Sequence, residues 1–199
     1  MSNSSKIILD LCGGTGCWSK PYKEAGYDVR VITLPEFDIL TYEPPDSVYG
    51  VLAAPPCTAF CIASSQYWKD YDSSGFTDYS LKLVHRCFEI ASITNPKFFA
   101  LENPKGRLKT LLGINPIYSF YQYEFDGLFT KHTYLWGDFN TMIIKGPVNP
   151  TPLRFDECSM SELYSLPSSY VRDPNFSKRS AQRSMYPPMF CRAFFEANQ

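Results

Sequence analysis

The chain has 199 residues, of which 44% are apolar, and this length and composition fit one compact domain with a hydrophobic core. The formal net charge is −1, so no overall basic surplus indicates a nucleic-acid partner. Seven cysteines, an odd number at irregular spacing, favour reduced thiols over a disulfide framework. Two histidines and the absence of a Cys-x-x-Cys pair argue against a metal site.

The first six residues are polar and do not resemble a signal peptide. No apolar stretch of the sequence approaches the length of a membrane span. We therefore expect a cytoplasmic protein that has no membrane partner.

Apolar runs and turn residues predict strands that alternate with helices. The predicted strands are Lys6–Leu11, Tyr27–Leu34, Val48–Ala54, Phe98–Leu101, Ile117–Phe125 and Thr133–Trp136, the last two pairing antiparallel. The predicted helices are Trp18–Gly26, Tyr79–Thr94, Gly106–Leu112 and Pro187–Ala197. This alternation predicts an α/β fold with a doubly wound sheet that is mostly parallel and has an antiparallel late strand.

Two regions lack a sustained period. Thr58–Asp78 is polar and aromatic, which predicts a long loop, and Asn140–Phe176 is rich in Pro and Ser and receives no assignment. No domain boundary stands out, so we expect residues 1–199 to form a single domain.

A glycine-rich turn follows the first predicted strand and is the first candidate site. It consists of Asp10, Leu11, Cys12, Gly13, Gly14, Thr15 and Gly16. Glycines there allow positive φ and a close approach of the backbone to a ligand. The spacing differs from Gly-x-Gly-x-x-Gly and from a P-loop, so an adenosyl ligand without a pyrophosphate fits better. An ordinary tight turn is the alternative.

A thiol and a carboxyl follow two further buried strands. Cys57 comes after Pro55 and Pro56, and Glu102 comes directly after an apolar run. The carboxyl ends of parallel strands meet at one edge of a sheet, so we expect the two side chains to lie close together. A thiolate is a strong nucleophile, and a poorly solvated carboxyl can donate a proton or a hydrogen bond near neutral pH. The alternatives are a structural cysteine and a capping or ion-paired glutamate.

Lys131 and Thr133 lie on one face of a late strand by the two-residue period. They could hold a phosphate or the edge of a base. A solvated strand edge is the alternative.

Taken in order, these segments resemble the motifs of the cytosine-C5 DNA methyltransferase family. Asp10–Gly16 resembles the first cofactor motif, and Asp38-Ile39 resembles the motif that contacts adenine. Ala54–Cys57 resembles the nucleophile motif, and Glu102–Pro104 resembles the Glu-Asn-Val motif with proline in place of valine. Two weaker matches, residues 131–137 and 183–197, resemble the Gln-x-Arg-x-Arg segment and the last motif.

The resemblance implies a Rossmann-like class I methyltransferase sheet and a role for each matching residue. Cys57 would add to C6 of cytosine, Glu102 would engage N3, Asn103 would brace the loop, and Lys131 would contact a phosphate or the base. The implied cofactor is S-adenosyl-L-methionine. Its implied ligands are Asp10, Leu11, Cys12, Gly13, Gly14, Thr15, Gly16, Trp18, Asp38, Ile39 and Pro55.

The implied partner is double-stranded DNA with the target base flipped out, because C6 is unreachable within the base stack. Residues 58–75 follow the nucleophile and could close over that base.

The chain departs from the family's pattern at three places. The end of the second strand, Val31–Leu34, lacks the acidic residue that holds the cofactor ribose, although Glu36 is close. Lys131 and Thr133 stand where the family has arginines. Residues 138–180 form a reduced or irregular insert in place of a target-recognition domain, so a protein partner could supply specificity. The chain resembles the compact methylases often encoded by phages, which implies the cytoplasm of a bacterium or of a phage-infected cell.

Two alternatives stay open. The same chemistry could act on RNA or on a free nucleotide, although the RNA methylases with two cysteines carry Thr-Cys where this chain has Glu102-Asn103. A catalytically inactive protein that binds the cofactor or DNA is the second alternative. Amino-group methylases are disfavoured, because they carry an Asp/Ser-Pro-Pro-aromatic motif that Ala54–Cys57 does not match.

Overall fold

A computed structural model describes residues 2–152 and 185–199 as an α/β fold. The strands are β1 (Ile7–Leu11), β2 (Asp28–Ile32), β3 (Gly50–Ala53), β4 (Phe98–Pro104), β5 (Tyr118–Tyr121) and β6 (His132–Asp138). The α-helices are α1 (Lys20–Glu24), α2 (Trp68–Ser73), α3 (Phe76–Thr94), α4 (Leu108–Leu112) and α5 (Pro188–Ala197). Short 3₁₀ helices span Asn3–Ser5, Ile62–Tyr67 and Gln122–Phe125.

The described strands form one sheet in the order β2-β1-β3-β4-β6-β5. The first four strands in this order are parallel, and β6 runs antiparallel to both β4 and β5. The prediction of a mostly parallel α/β sheet with an antiparallel late strand is confirmed.

Successive residues of a strand point to opposite faces of the sheet. Helices cover both faces, so the side chains on each face are buried. One face packs against α3 in a cluster that includes Leu9, Val51 and Val84. The other face packs against α1 and α5 in a cluster that includes Leu52 and Phe190. Burial on both faces explains why β1, β3 and β4 consist largely of apolar residues.

The register of the parallel strands brings three chain segments to one edge. Leu11 of β1 pairs with Ala53 of β3, which pairs with Leu101 of β4. The glycine-rich turn, the segment that starts at Ala54 and the side chain of Glu102 therefore emerge side by side at the carboxyl edge.

The prediction of a long loop over Thr58–Asp78 is wrong. The segment contains the 3₁₀ helix Ile62–Tyr67 and helix α2, and α3 begins at Phe76, three residues before its predicted start. The 3₁₀ helix and α2 are each too short for the apolar period of a helix to show in the sequence.

A side chain from another part of the chain holds this helical segment in place. The Arg107 guanidinium lies 4.8 Å from the centre of the Trp68 ring and forms an ion pair with Asp72 at 2.8 Å. Its Nε also donates to the carbonyl oxygen of Ala59 at 2.9 Å. The segment that follows the predicted nucleophile is therefore anchored to the start of α4.

Smaller corrections concern the ends of predicted elements. The strand predicted over Ile117–Phe125 ends at Tyr121, where a 3₁₀ turn begins with the Glu124 carboxylate accepting from the Tyr121 amide at 2.7 Å. Helices α1 and α4 are shorter than predicted, and α5 begins one residue later. Residues 140–152 contain no helix or strand, and most of the predicted insert, residues 153–180, lies outside the described residues.

Gly106 joins the helical segment to the end of β4. It forms an antiparallel bridge with Cys61, and the next amide, of Arg107, donates to the carbonyl oxygen of Phe60 at 2.9 Å. A Cβ atom at Gly106 would lie 2.0 Å from that carbonyl oxygen, so this approach requires glycine.

We expect Gly106→Ala to lower the free energy of unfolding by about 1–3 kcal/mol, because the backbone of Phe60 has to move. Urea unfolding monitored by circular dichroism measures the change. Gly146→Ala is the matched control: its Cβ would meet the flexible end of Met189 at 3.3 Å. Equal urea midpoints for Gly106→Ala and the unmodified protein would contradict the expectation.

Candidate active site

The predicted nucleophile, Cys57, begins a helical turn just beyond β3. Its carbonyl oxygen accepts from the amides of Phe60 and Cys61, each at 2.9 Å. The buried amide of Asn103 donates from Nδ2 to the carbonyl oxygen of Pro55 at 3.1 Å. The end of β4 thus holds the segment that carries the cysteine, and the Cys57 side chain is half-buried.

Glu102 and Lys131 form a buried ion pair, with Oε1 and Nζ 3.5 Å apart. Only 5% of Glu102 and 8% of Lys131 is exposed. The second carboxylate oxygen, Oε2, accepts a hydrogen bond from the Tyr186 hydroxyl at 2.8 Å. Within the described residues, Oε1 has no hydrogen-bond partner.

The Cys57 thiol lies within electrostatic reach of this pair. A hydrogen bond with Cys61, burial and the Glu102 charge raise the pKa of Cys57 well above its usual value, and the Lys131 ammonium opposes them. Cys61 makes the largest contribution and burial the second. A thiol, a carboxylate and an ammonium therefore share one partly dehydrated site, and strand ends predicted the first two of these groups.

Lys131, just before β6, and Thr133, within it, are both buried. Thr133 is fully buried, whereas the intervening His132 and the following Tyr134 are half-exposed. The alternative of a solvated strand edge is therefore wrong. The Thr133 hydroxyl has no hydrogen-bond partner among residues 2–152 and 185–199.

The glycine-rich turn bends sharply beside this site. Cys12, Gly14 and Gly16 have φ angles of 54°, 54° and 68°, in the left-handed region. Gly13 packs directly on Asp10, because a Cβ atom there would lie 2.4 Å from the Asp10 Cγ atom. Leu11 is fully buried in the core. The turn leaves no room for side chains above the Asp10 carboxylate.

Two buried polar atoms at this turn lack partners in the part of the chain that the structure describes. They are Asp10 Oδ1, an acceptor, and Trp18 Nε1, a donor. The other carboxylate oxygen of Asp10 accepts from the Ser19 hydroxyl at 2.5 Å. Burial raises the pKa of Asp10 to about 6. An unpaired acceptor and donor beside a tight glycine turn fit a polar ligand such as an adenosyl cofactor.

The predicted adenine-contacting residues have mainly local roles in the structure. Asp38 Oδ1 accepts from the amide of Leu40 at 2.9 Å, and Ile39 is a buried core residue. A cavity of about 530 Å³ opens at the end of β2, and its lining includes Phe37 and Glu43 but neither predicted residue. Glu43, rather than the Glu36 considered from the sequence, brings a carboxyl to this cavity.

Tyr186 is a site residue that the sequence analysis missed. It stands at the start of the C-terminal helical segment, and its ring centre lies 5.1 Å from that of Trp18. It therefore contacts both Trp18, two residues beyond the glycine-rich turn, and Glu102. Its position directly before Pro187 and Pro188 was the available signal. Arg183 and Ser184 of the same motif lie outside the described residues.

The described residues contain neither the side-chain cluster that a metal site requires nor a helix that a membrane span requires. Within residues 2–152 and 185–199, no three His, Cys, Asp or Glu side chains gather as a metal site would require. Across the same ranges, no helix has the length and apolar character needed to span a bilayer.

Comparisons with known proteins give one likeness in fold and one match in sequence. No protein-family model matches the chain. The fold resembles a crystal structure described as a DNA modification methyltransferase encoded within an E. coli prophage, with a TM-score of 0.52 and 16% identity. The likeness covers 82% of this chain and 56% of that one. At this identity it establishes a methyltransferase-like α/β fold and nothing finer.

A sequence match gives a more particular relationship. The chain is 30% identical over 128 residues to the type II methyltransferase M.DdeI of Desulfomicrobium norvegicum. The match covers 51% of this chain and 28% of the relative, so the chain spans well under half of that protein's length. The match supports the resemblance to the cytosine-C5 DNA methyltransferase family that the motifs predict.

We expect the buried carboxyl of Asp10 to make stability depend on pH. Its pKa of about 6 exceeds the ordinary value of 3.8, so the folded state binds this proton more tightly than the unfolded chain. The resulting stability is complete below about pH 3.8 and is lost as the pH rises through about 6.

Asp10→Asn, which stays neutral, should therefore be more stable than the unmodified protein at pH 8, by at most about 3 kcal/mol. The difference should vanish near pH 4. Urea unfolding at pH 4, 6 and 8 measures it. A stability difference for Asp10→Asn that is the same at all three pH values would count against the idea.

Proposed function

We propose that the protein is an S-adenosylmethionine-dependent methyltransferase that methylates C5 of cytosine in DNA through a covalent adduct with Cys57. The observation that carries the proposal is the meeting of the Cys57 thiol with the buried Glu102–Lys131 pair at the carboxyl edge of the sheet. The similarity to M.DdeI supports it. Because the chain matches 28% of that relative, activity, substrate and partners are all part of the proposal.

The chemistry follows from the properties of these side chains. The Cys57 thiolate adds to C6 of cytosine, and the electron pair of the C5–C6 double bond becomes available at C5. Glu102, when it carries a proton, donates it to a hydrogen bond with N3 and so favours the addition, while the Lys131 ammonium stabilises the thiolate. After C5 has taken the methyl group, a base removes the C5 proton, and the bond from sulfur to C6 breaks. The aromatic ring and the thiolate are both restored.

The glycine-rich turn is the proposed cofactor site. Asp10 Oδ1 and Trp18 Nε1 are the polar atoms, unpaired within the described residues, that would contact the ligand. When bound, S-adenosylmethionine would supply the methyl group and would leave as S-adenosylhomocysteine. The turn follows β1 and Cys57 follows β3, and these strands are neighbours, so both reactants would meet at one edge.

DNA is the proposed substrate, with the target base flipped out of the duplex so that C6 becomes reachable. Asn103 would brace the Cys57 segment through Pro55 during this step. Reading a long sequence requires several side chains placed in a groove. Residues 138–180 are few for that purpose, so we infer short or relaxed specificity unless a protein partner contributes.

Incubation with labelled S-adenosylmethionine and separate pools of DNA, RNA and dCTP tests the substrate. We expect 5-methylcytosine in the DNA pool alone, identified by mass analysis of nucleosides. Methylated product in the RNA pool or the dCTP pool alone would show that DNA is not the substrate. A folded protein that gives no product and binds no cofactor in calorimetry would exclude the methyltransferase function.

In the same assay, Cys57→Ala should lower the rate by several powers of ten, because no neighbouring group replaces the thiolate. DNA that carries 5-fluorocytosine should trap the unmodified protein covalently, since fluorine at C5 cannot leave as the proton does. Cys87→Ala, in the buried core beside Cys12, is the matched control and should still be trapped. A Cys57→Ala variant that still forms the adduct would place the nucleophile elsewhere, with Cys61 the next residue to examine.

Cys61 should control the pH at which Cys57 becomes reactive. The hydrogen bond between the two thiols is the largest cause of the raised pKa of Cys57, so its loss should lower that pKa. Cys61→Ala should therefore shift the rising part of the pH profile of Cys57 alkylation by iodoacetamide towards lower pH. Cys87→Ala again serves as the control. Identical profiles for Cys61→Ala and the unmodified protein would show that Cys61 does not influence the nucleophile.

A further inference from the structure

Tyr186 is a buried hydroxyl donor at the candidate site. It is 5% exposed, and its hydroxyl donates to Glu102 Oε2 at 2.8 Å. Burial and the neighbouring carboxylate raise the pKa of Tyr186 well above its usual value. The hydroxyl therefore keeps its proton at neutral pH and can act as a hydrogen-bond donor.

This hydrogen bond makes the two oxygens of the Glu102 carboxylate unequal. Oε2 is occupied by Tyr186, whereas Oε1 lies 3.5 Å from Lys131 Nζ and has no hydrogen-bond partner within the described ranges. A buried carboxylate oxygen without a hydrogen bond is costly unless a ligand completes it. Oε1 is thus the atom that is left for a bound base.

The Tyr186 ring is held from several sides, so its hydroxyl has little freedom. Its centre lies 5.1 Å from the Trp18 ring and 5.9 Å from the Phe190 ring. The preceding carbonyl, of Met185, accepts from the side-chain amide of Gln122 at 3.2 Å. A rigid donor fixes the orientation of the carboxylate that it binds.

We propose that Tyr186 is a positioning residue: it fixes the Glu102 carboxylate through Oε2 so that Oε1 is presented to the ring of the target cytosine. This inference rests on the proposed function, and it adds a residue from the C-terminal segment to the reaction. Because the same ring packs on Trp18 at the glycine-rich turn, Tyr186 also joins the proposed cofactor site to the proposed base site.

Tyr186→Phe removes the hydroxyl and keeps the ring contacts. We expect kcat to fall about tenfold, the loss of one hydrogen bond to a charged group, with the KM values for DNA and S-adenosylmethionine within twofold. Tyr22→Phe is the matched control, since this buried hydroxyl donates to the carbonyl oxygen of Asn198 at 3.2 Å, away from Glu102. A Tyr186→Phe variant with the unmodified kcat would overturn the inference.

A double-mutant cycle shows whether Tyr186 acts through Glu102. Once Glu102→Ala has removed the acceptor of this hydrogen bond, the further change Tyr186→Phe should lower kcat by less than twofold. A full tenfold loss in that background would mean that Tyr186 acts independently, and would overturn the inference.

Thermal unfolding of the unmodified protein, the two single variants and the double variant separates this inference from the proposed function. The unfolding temperatures should be non-additive by about 3 °C, because the two side chains share one hydrogen bond. Additive temperatures overturn the positioning role whatever the activity. The temperatures could instead be non-additive in a protein that methylates none of the DNA, RNA and dCTP pools. That result would overturn the proposed function, and with it the role of the contact in catalysis. The contact itself would stand.

Discussion

The buried ion pair between Glu102 and Lys131 is the interaction on which the geometry of the candidate site depends. Removing one partner of such a pair leaves a charge in surroundings that cannot solvate it, at a cost of about 3–5 kcal/mol. The pair forms because antiparallel β6 returns beside β4, and it is completed by Tyr186 from the C-terminal segment. Three distant parts of the chain are therefore fixed relative to one another, and the Cys57 segment is fixed to them through Asn103.

Much of the fold could be predicted because buried parallel strands are continuous apolar runs that end at Gly or Pro. Strand β3, before Cys57, is followed by Ala54 and Pro55, and strand β4, which carries Glu102, ends at Pro104. The helical segment after Cys57 could not be predicted in the same way. Its stability comes from contacts such as Arg107 with Asp72, 35 residues apart in sequence. Such contacts leave no periodic trace in the sequence.

The candidate site was predictable where it depends on strand ends and unpredictable where it depends on packing between distant segments. Cys57 follows β3 and Glu102 lies near the end of β4, so their proximity follows from the sheet alone. The hydrogen bond from Tyr186 crosses 84 residues of sequence, and a tyrosine before two prolines indicates an extended backbone but no partner. The burial of Asp10 under Gly13, which raises the pKa of its carboxyl, likewise requires the folded turn.

The contact between Tyr186 and Glu102 also sets the order in which the site is assembled during synthesis. Ribosomes add about 5–20 residues per second, and N-terminal parts of a chain are free to fold first. Strands β1 to β4 can pair once residue 104 has emerged. The hydrogen bond from Tyr186 to Glu102, however, cannot form until residue 186 has left the ribosome. A nascent chain can therefore hold most of the sheet before it holds a complete site.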